Sequence, residues 1–109
     1  MHSNPVLSVL VIAHERREFI IDAIESLRNQ GEQDGKYEVI VVKKFEDKAI
    51  DSLISSYGYQ NLVTDKDSLG GKIYEALSHC KGQFISFLED DDMFESDKVT
   101  KILVSIGWN

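Results

Sequence analysis

The sequence predicts an α/β fold, three layers deep, built around a mostly parallel sheet. Three observations carry that expectation. Short apolar, β-branched runs alternate along the chain with stretches whose apolar residues recur at helical spacing. The runs lack a polar face, as strands covered on both sides by helices do. One of them, Phe84 to Leu88, drives straight into four consecutive acids, Glu89 to Asp92. Strand–helix alternation implies right-handed crossovers, so every loop at a carboxyl strand end falls on one rim. Those loops are residues 13–16, 43–47, 65–71 and 89–95.

The elements follow in order. Met1 to Pro5 is a lead-in, and Leu7 to Ile12 reads as a central strand, apolar apart from Ser8. From 17 to 30 the positions Phe19, Ile20, Ala23, Ile24 and Leu27 make a helical face, stopped at Gly31. A polar turn over 32–36 leads into a second strand, Tyr37 to Val42. Ala49, Ile50, Leu53 and Ile54 mark a short helix closed by Ser55 to Gly58. Asn61 to Thr64 is a short strand for the sheet edge. After the polar loop 65–68 and Gly70-Gly71, the spacing of Ile73, Leu77 and Cys80 predicts a third helix, ended at Lys81-Gly82. Lys72, near its start, is expected at the surface. The acidic strand comes next, with Phe84, Ile85, Phe87 and Leu88 expected buried on both faces. Ser96 as N-cap and the stripe Val99, Ile102, Leu103, Ile106 predict a last helix.

Composition bounds the function. One hundred and nine residues, 42% hydrophobic and 28% charged, suit one soluble domain with a single core. A net charge of -7 without a basic cluster argues against nucleic acid as a partner. No apolar run reaches the length of a membrane span, and the N-terminus lacks a signal-peptide pattern. Cys80 is the single cysteine, so no internal disulfide forms, and the expected compartment is the reducing cytoplasm. His2, His14 and His79 have no zinc-site spacing.

Four carboxylates in a row repel one another and cannot enter a core without a cation. At the end of a parallel strand they lie in the crevice where open α/β sheets bind ligands. Oxygen-only donors there suit Mg²⁺ or Mn²⁺ together with a phosphorylated ligand. A solvated acidic turn is the plain alternative.

At these residues the chain resembles the family 2 glycosyltransferases. Ser8-Val9-Leu10-Val11-Ile12-Ala13-His14-Glu15-Arg16 is similar to that family's opening strand and loop, and Tyr37 to Val42 to its second strand. Ser68-Leu69-Gly70 through Lys81-Gly82-Gln83-Phe84-Ile85, then Phe87-Leu88-Glu89-Asp90-Asp91-Asp92, resemble the glycine run and the acidic D-x-D motif. The resemblance extends from about Pro5 to Val99. It implies the nucleotide-sugar-binding half of the GT-A fold, a Rossmann-like sheet in the order third, second, first, fourth strand. It implies a nucleotide-sugar donor contacted by Ala13, His14, Glu15, Arg16, Lys43, Gly70, Glu89 and Asp90. Asp91 would hold the metal, Mg²⁺ or Mn²⁺, with Glu89 beside it or reaching the ribose or a metal-bound water, and His14 would pack against the base. Transfer of the sugar would follow, with inversion expected from the family alone.

Several positions depart from the family. Ile12 and Ala13 replace a proline and a threonine, and Glu15 an asparagine. Lys43 and Lys44 stand where the family has aspartates, one of which reads the base, and lysine accepts no hydrogen bond. Glu46 or Asp47 is the candidate substitute. Ala76 replaces a helical glycine. The expectation for residues 1–109 is a single domain ending before the acceptor-binding half, with the catalytic base unassigned and an apolar sheet flank open to self-association. Two other classes compete with this reading. One is a non-catalytic nucleotide-binding or regulatory domain. The other is a receiver-like Mg²⁺ domain, disfavoured because Ala13-His14 occupies the place of its acidic pair.

Overall fold

The computed structural model describes residues 5–13, 17–28 and 36–89, with side chains for all of these except 17–19, 88 and 89. The elements are β1 (Leu7–Ile12), α1 (Arg17–Arg28), β2 (Tyr37–Lys43), α2 (Lys48–Ser56), β3 (Gln60–Val63), α3 (Leu69–Leu77) and β4 (Phe84–Glu89). The four strands form one sheet in the order β3-β2-β1-β4, and every pair is parallel. The strand order expected from the resemblance is the one found. The polar turn at 32–35, the helix stop at Gly31 and the last helix over 96–106 lie outside the described residues.

Why β1 is central is plain from its composition. Leu7, Val9, Leu10, Val11 and Ile12 are all buried, and so is Ser8. Successive side chains on a strand point to opposite faces. Leu7, Val9 and Val11, with Val39 and Val41 of β2, meet Ile20, Ala23, Ile24 and Leu27 of α1 and Ile50 and Ile54 of α2. Leu10, Ile12, Ile40 and Val42 point the other way, against Ala76, Ile73 and Cys80 on the α3 side. Helices therefore cover both faces, and the three layers are those the alternation of patterns predicts.

Side-chain oxygens start two helices. Asp47 caps α2, accepting from Ala49 N and Ile50 N at 3.1 Å each. Ser68 caps α3 by accepting from Gly71 N at 3.0 Å. Gly70 and Gly71 thus belong to the first turn of α3 rather than to the loop before it. Gly58, with φ of 74°, supplies the left-handed residue just after α2.

At the amino ends of the strands, β4 is docked by polar bonds. Ser8 Oγ donates to Glu38 Oε2 at 2.5 Å, Lys81 N donates to the same oxygen at 2.6 Å, and Gly82 N donates to Ser8 Oγ at 2.9 Å. Here Gly82 passes so close to β1 that a Cβ would lie 2.6 Å from Ser8 N and 2.7 Å from Leu7 C.

Two expectations about burial are corrected. Phe84, Ile85 and Phe87 are 42%, 37% and 50% exposed, not buried on both faces. Among the described residues β4 pairs only with β1, and α3 contacts β1 and β2 instead. On α3 the fully covered positions are Lys72 and Ala76, whereas Leu77 is exposed and Cys80 half-buried. Lys72 goes inward because its Nζ reaches the Asp67 carbonyl, 3.3 Å away.

Candidate functional site

Chain order and strand order together locate the crevice. From β1 the chain steps outward through β2 to β3, then returns to place β4 on the other side of β1. The sheet's switch point is therefore the gap between the carboxyl ends of β1 and β4, where open α/β sheets take ligands. The register sets Glu89 beside Ile12, so the acids begin alongside the last residue of β1. Ala13 follows at once, its N donating to Val42 O at 2.8 Å and its methyl buried in the apolar cluster. Ala13 can thus offer a ligand its backbone but no side-chain contact.

The sequence-predicted residues divide by what the structure describes. Ala13, Lys43 and Gly70 are described, as is the backbone of Glu89. His14, Glu15, Arg16, Asp90 and Asp91 lie outside the described residues. Gly70 is exposed in the first turn of α3, and a Cβ there would meet nothing within 4 Å. Gly71, by contrast, is confined: a Cβ would lie 2.9 Å from Ser68 Oγ and 3.1 Å from Lys66 Cβ.

Lys43, expected at the nucleotide, turns inward and is fully buried. Its Nζ lies 2.7 Å from Asp51 Oδ1 on α2 and donates to the Phe45 carbonyl at 2.8 Å. A buried ammonium needs such partners, because desolvation without them costs several kcal/mol, on the order of 3–5 when one partner is removed. Burial pushes the Asp51 carboxyl up, but the hydrogen bond and charge of Lys43, with a further bond from Asn61, outweigh it. Its pKa sits below the ordinary 3.8. Asp51 is the partner that sequence reasoning missed. Its one signal was its place on the first turn of the helix after β2.

Lys44 pairs with Asp67, tying the loop after β2 to the loop after β3, and the Lys44 ammonium lowers the Asp67 carboxyl. Thr64 strengthens the same junction: its N donates to Lys43 O at 2.8 Å, and its Oγ1 donates to Glu75 Oε2 at 2.6 Å. Asp47, one candidate substitute for a base-reading acid, spends its carboxylate on the α2 cap. Among the described residues no three His, Cys, Asp or Glu side chains converge as metal ligands. No described helix is long and apolar enough to cross a membrane.

Known proteins match this chain in sequence and in fold. The model of the family described as Glycosyl transferase family 2 matches residues 8–108. "Putative glycosyltransferase EpsH" of Bacillus subtilis (strain 168) is 26% identical over 109 residues, covering 95% of this chain and 31% of EpsH. The crystal structure of S. aureus TarS superposes with a TM-score of 0.81 at 20% identity, over 93% of this chain and 19% of TarS. TarS 1–349 in complex with UDP gives a TM-score of 0.75 at 20% identity, over 93% of this chain and 32% of that one. The chain spans about a third of the length of EpsH and of TarS 1–349.

Proposed function

Because the chain belongs to glycosyl transferase family 2, we propose that it forms the nucleotide-sugar side of an enzyme that moves a glycosyl group from a nucleoside diphosphate to an acceptor. The observation that carries this is the β1–β4 register. It delivers Glu89, the first of the four acids, to the switch point beside the end of β1. UDP in the TarS complex supports the donor class.

Glu89, the first of the acids, has its backbone at the crevice, and the run offers an oxygen-only donor set. It fits a hard divalent ion, Mg²⁺ or Mn²⁺, held by Glu89 and Asp91 in an acidic motif of the D-x-D kind. When bound, such an ion offsets the charge that develops on a leaving diphosphate. The chain's own residues do the rest. Ala13 presents backbone, His14, Glu15 and Arg16 approach base and phosphate from the loop after β1, and Asp90 and Gly70 line the ligand. Gly70 suits that role because, among the described residues, no atom fills the space a side chain would take there. Reaction in the cytoplasm is the fitting compartment, supported by the chain's single cysteine, Cys80.

Thermal unfolding with Mn²⁺ tests the reading. Mn²⁺ should raise the melting temperature of the native chain, as any ligand selective for the folded state does. Asp91→Asn removes one charge at nearly constant shape, so it should abolish that rise while leaving the unliganded melting temperature near native. An equal rise in both proteins would reduce the acidic run to a solvated turn.

A further inference from the structure

A hollow of about 270 Å³ lies at the opposite end of the sheet from the crevice. It is lined by Arg28 at the end of α1, by Tyr37 and Glu38 at the start of β2, and by Tyr57, Gly58 and Tyr59 between α2 and β3. The three phenol rings are half-buried, their backs against the core. Tyr57 and Tyr59 meet edge to face with centroids 5.6 Å apart, and Gly58 between them adds no side chain to fill the space. Tyr37 is fixed by its hydroxyl, which donates to Leu27 O at 2.6 Å. The Arg28 guanidinium sits over the Tyr57 ring, 4.8 Å from its centroid. Glu38 is oriented from behind, where its Oε2 accepts from the Ser8 hydroxyl and from Lys81 N.

From this lining we propose that the hollow is a carbohydrate site, which takes one uncharged pyranose unit of a sugar chain at the end of the domain away from the crevice. Its volume falls just below the roughly 300–1,000 Å³ of sites for drug-sized ligands, so it admits a single ring and not a nucleotide. The two charges in the lining oppose each other. An anion meets Glu38 and a cation meets Arg28, whereas a hydroxyl group both donates and accepts. Arg28 presents N–H donors in a planar fork, because contact with a ring draws on its charge and not on those groups. A carboxylate has about four lone-pair sites, so the bonds to Glu38 Oε2 leave it acceptor capacity. Burial raises the Tyr59 pKa, which keeps that phenol protonated and a donor. Aromatic faces carry the negative side of the ring quadrupole, to which the C–H bonds of a pyranose offer positive hydrogens. Tyr37 and Lys43 stand at the two ends of a seven-residue strand, roughly 20 Å apart. A sugar held beside Tyr37 is therefore not the one under transfer; it anchors the chain. The inference does not depend on the nucleotide reading of the crevice.

Amide NMR spectra of the native chain test this, with methyl β-glucopyranoside, methyl β-galactopyranoside and methyl N-acetyl-β-glucosaminide as probes. At least one should move the Tyr57, Gly58 and Tyr59 amides along a saturable curve, with a dissociation constant on the order of 1 mM. Glucuronate and glucosamine, its charged relatives, should bind at least about tenfold more weakly. Arg28→Met keeps the stem and removes the donor fork, so it should weaken the bound glycoside by roughly tenfold. Tyr59→Phe deletes a single hydroxyl, keeps the ring, and should weaken it by about threefold, which leaves the inference testable if Arg28→Met disturbs the fold. No saturable shift with any glycoside up to about 50 mM overturns the inference. So do equal affinities in the native chain and Tyr59→Phe, charged relatives that bind as tightly, or shifts centred on Ala13 and Gly70. UDP with Mg²⁺ reports on the crevice through those last two amides in the same spectra, so either reading can fail without the other.

Discussion

Asp51 and Gly70 are the two single residues whose substitution separates fold from site. Asp51→Asn leaves the Lys43 ammonium buried with its counter-charge gone, which should cost about 3 kcal/mol in urea unfolding at neutral pH. A pH dependence follows with a definite sign. The folded-state pKa of Asp51 is depressed, so its contribution is fully present above the ordinary value of 3.8 and disappears as pH falls through the lower, folded-state value. Acid titration of stability should therefore steepen below about pH 4 in the native chain and lose that component in Asp51→Asn. An unchanged unfolding midpoint in the variant would show that the pair carries no stability. Gly70→Ala runs the opposite way. The added methyl meets no atom of the described residues, and alanine is the better helix former, so stability should hold or rise by up to about 1 kcal/mol. Affinity for UDP with Mn²⁺ should nevertheless fall by roughly tenfold, about 1.4 kcal/mol, if the ligand's approach uses that space. Unaltered affinity in calorimetry would remove Gly70 from the site.

Among the elements, β4 depends on a glycine that lies outside it. Gly82→Ala would place a methyl group 2.6–2.7 Å from the backbone of Ser8 and Leu7, atoms that cannot step aside as a flexible side chain could. The expected cost is about 2–3 kcal/mol, read as a lowered urea midpoint, and a midpoint equal to native would refute the close approach. The sequence did reveal these elements where local chemistry decides them. β1 and β2 are legible because β-branched apolar residues fill them, and α2 because Ile50 and Ile54 recur at helical spacing. The start of α3 was obscured because Gly70-Gly71 reads as a breaker, whereas the Ser68 hydroxyl starts the helix at Gly71 N. The exposure of β4 was equally hidden. An apolar run records that a strand is present, but whether a helix covers it depends on where α3 packs, and α3 lies against β1 and β2. Lys43 shows the same limit for the candidate site. Its charge is visible in the sequence, but the Asp51 that draws it inward becomes its neighbour only once α2 folds back on β2. The acidic run and the loop after β1 were legible as motifs, and the register sets Glu89, the first of the acids, beside Ile12, the last residue of β1.

For the molecule as a whole, the placement of the first strand in the middle of the sheet is the feature with the widest reach. β1 takes β2 on one edge, with Leu7 opposite Tyr37, and β4 on the other, with Leu7 opposite Phe84. The two partners are separated by 47 residues of chain. During synthesis on the ribosome, at about 5–20 residues per second, β2 can dock some 2–9 s before β4 is made. Throughout that interval the nascent chain carries β1 with one row of amides and carbonyls unpaired, flanked by side chains that belong in the core. Neighbouring nascent chains on the same message would present identical strands at high local concentration, and an open strand edge pairs readily with another. A sheet whose centre is translated first thus keeps one edge of that centre open until β4 is made, and slow translation between Tyr37 and Phe84 lengthens the time for which it is vulnerable.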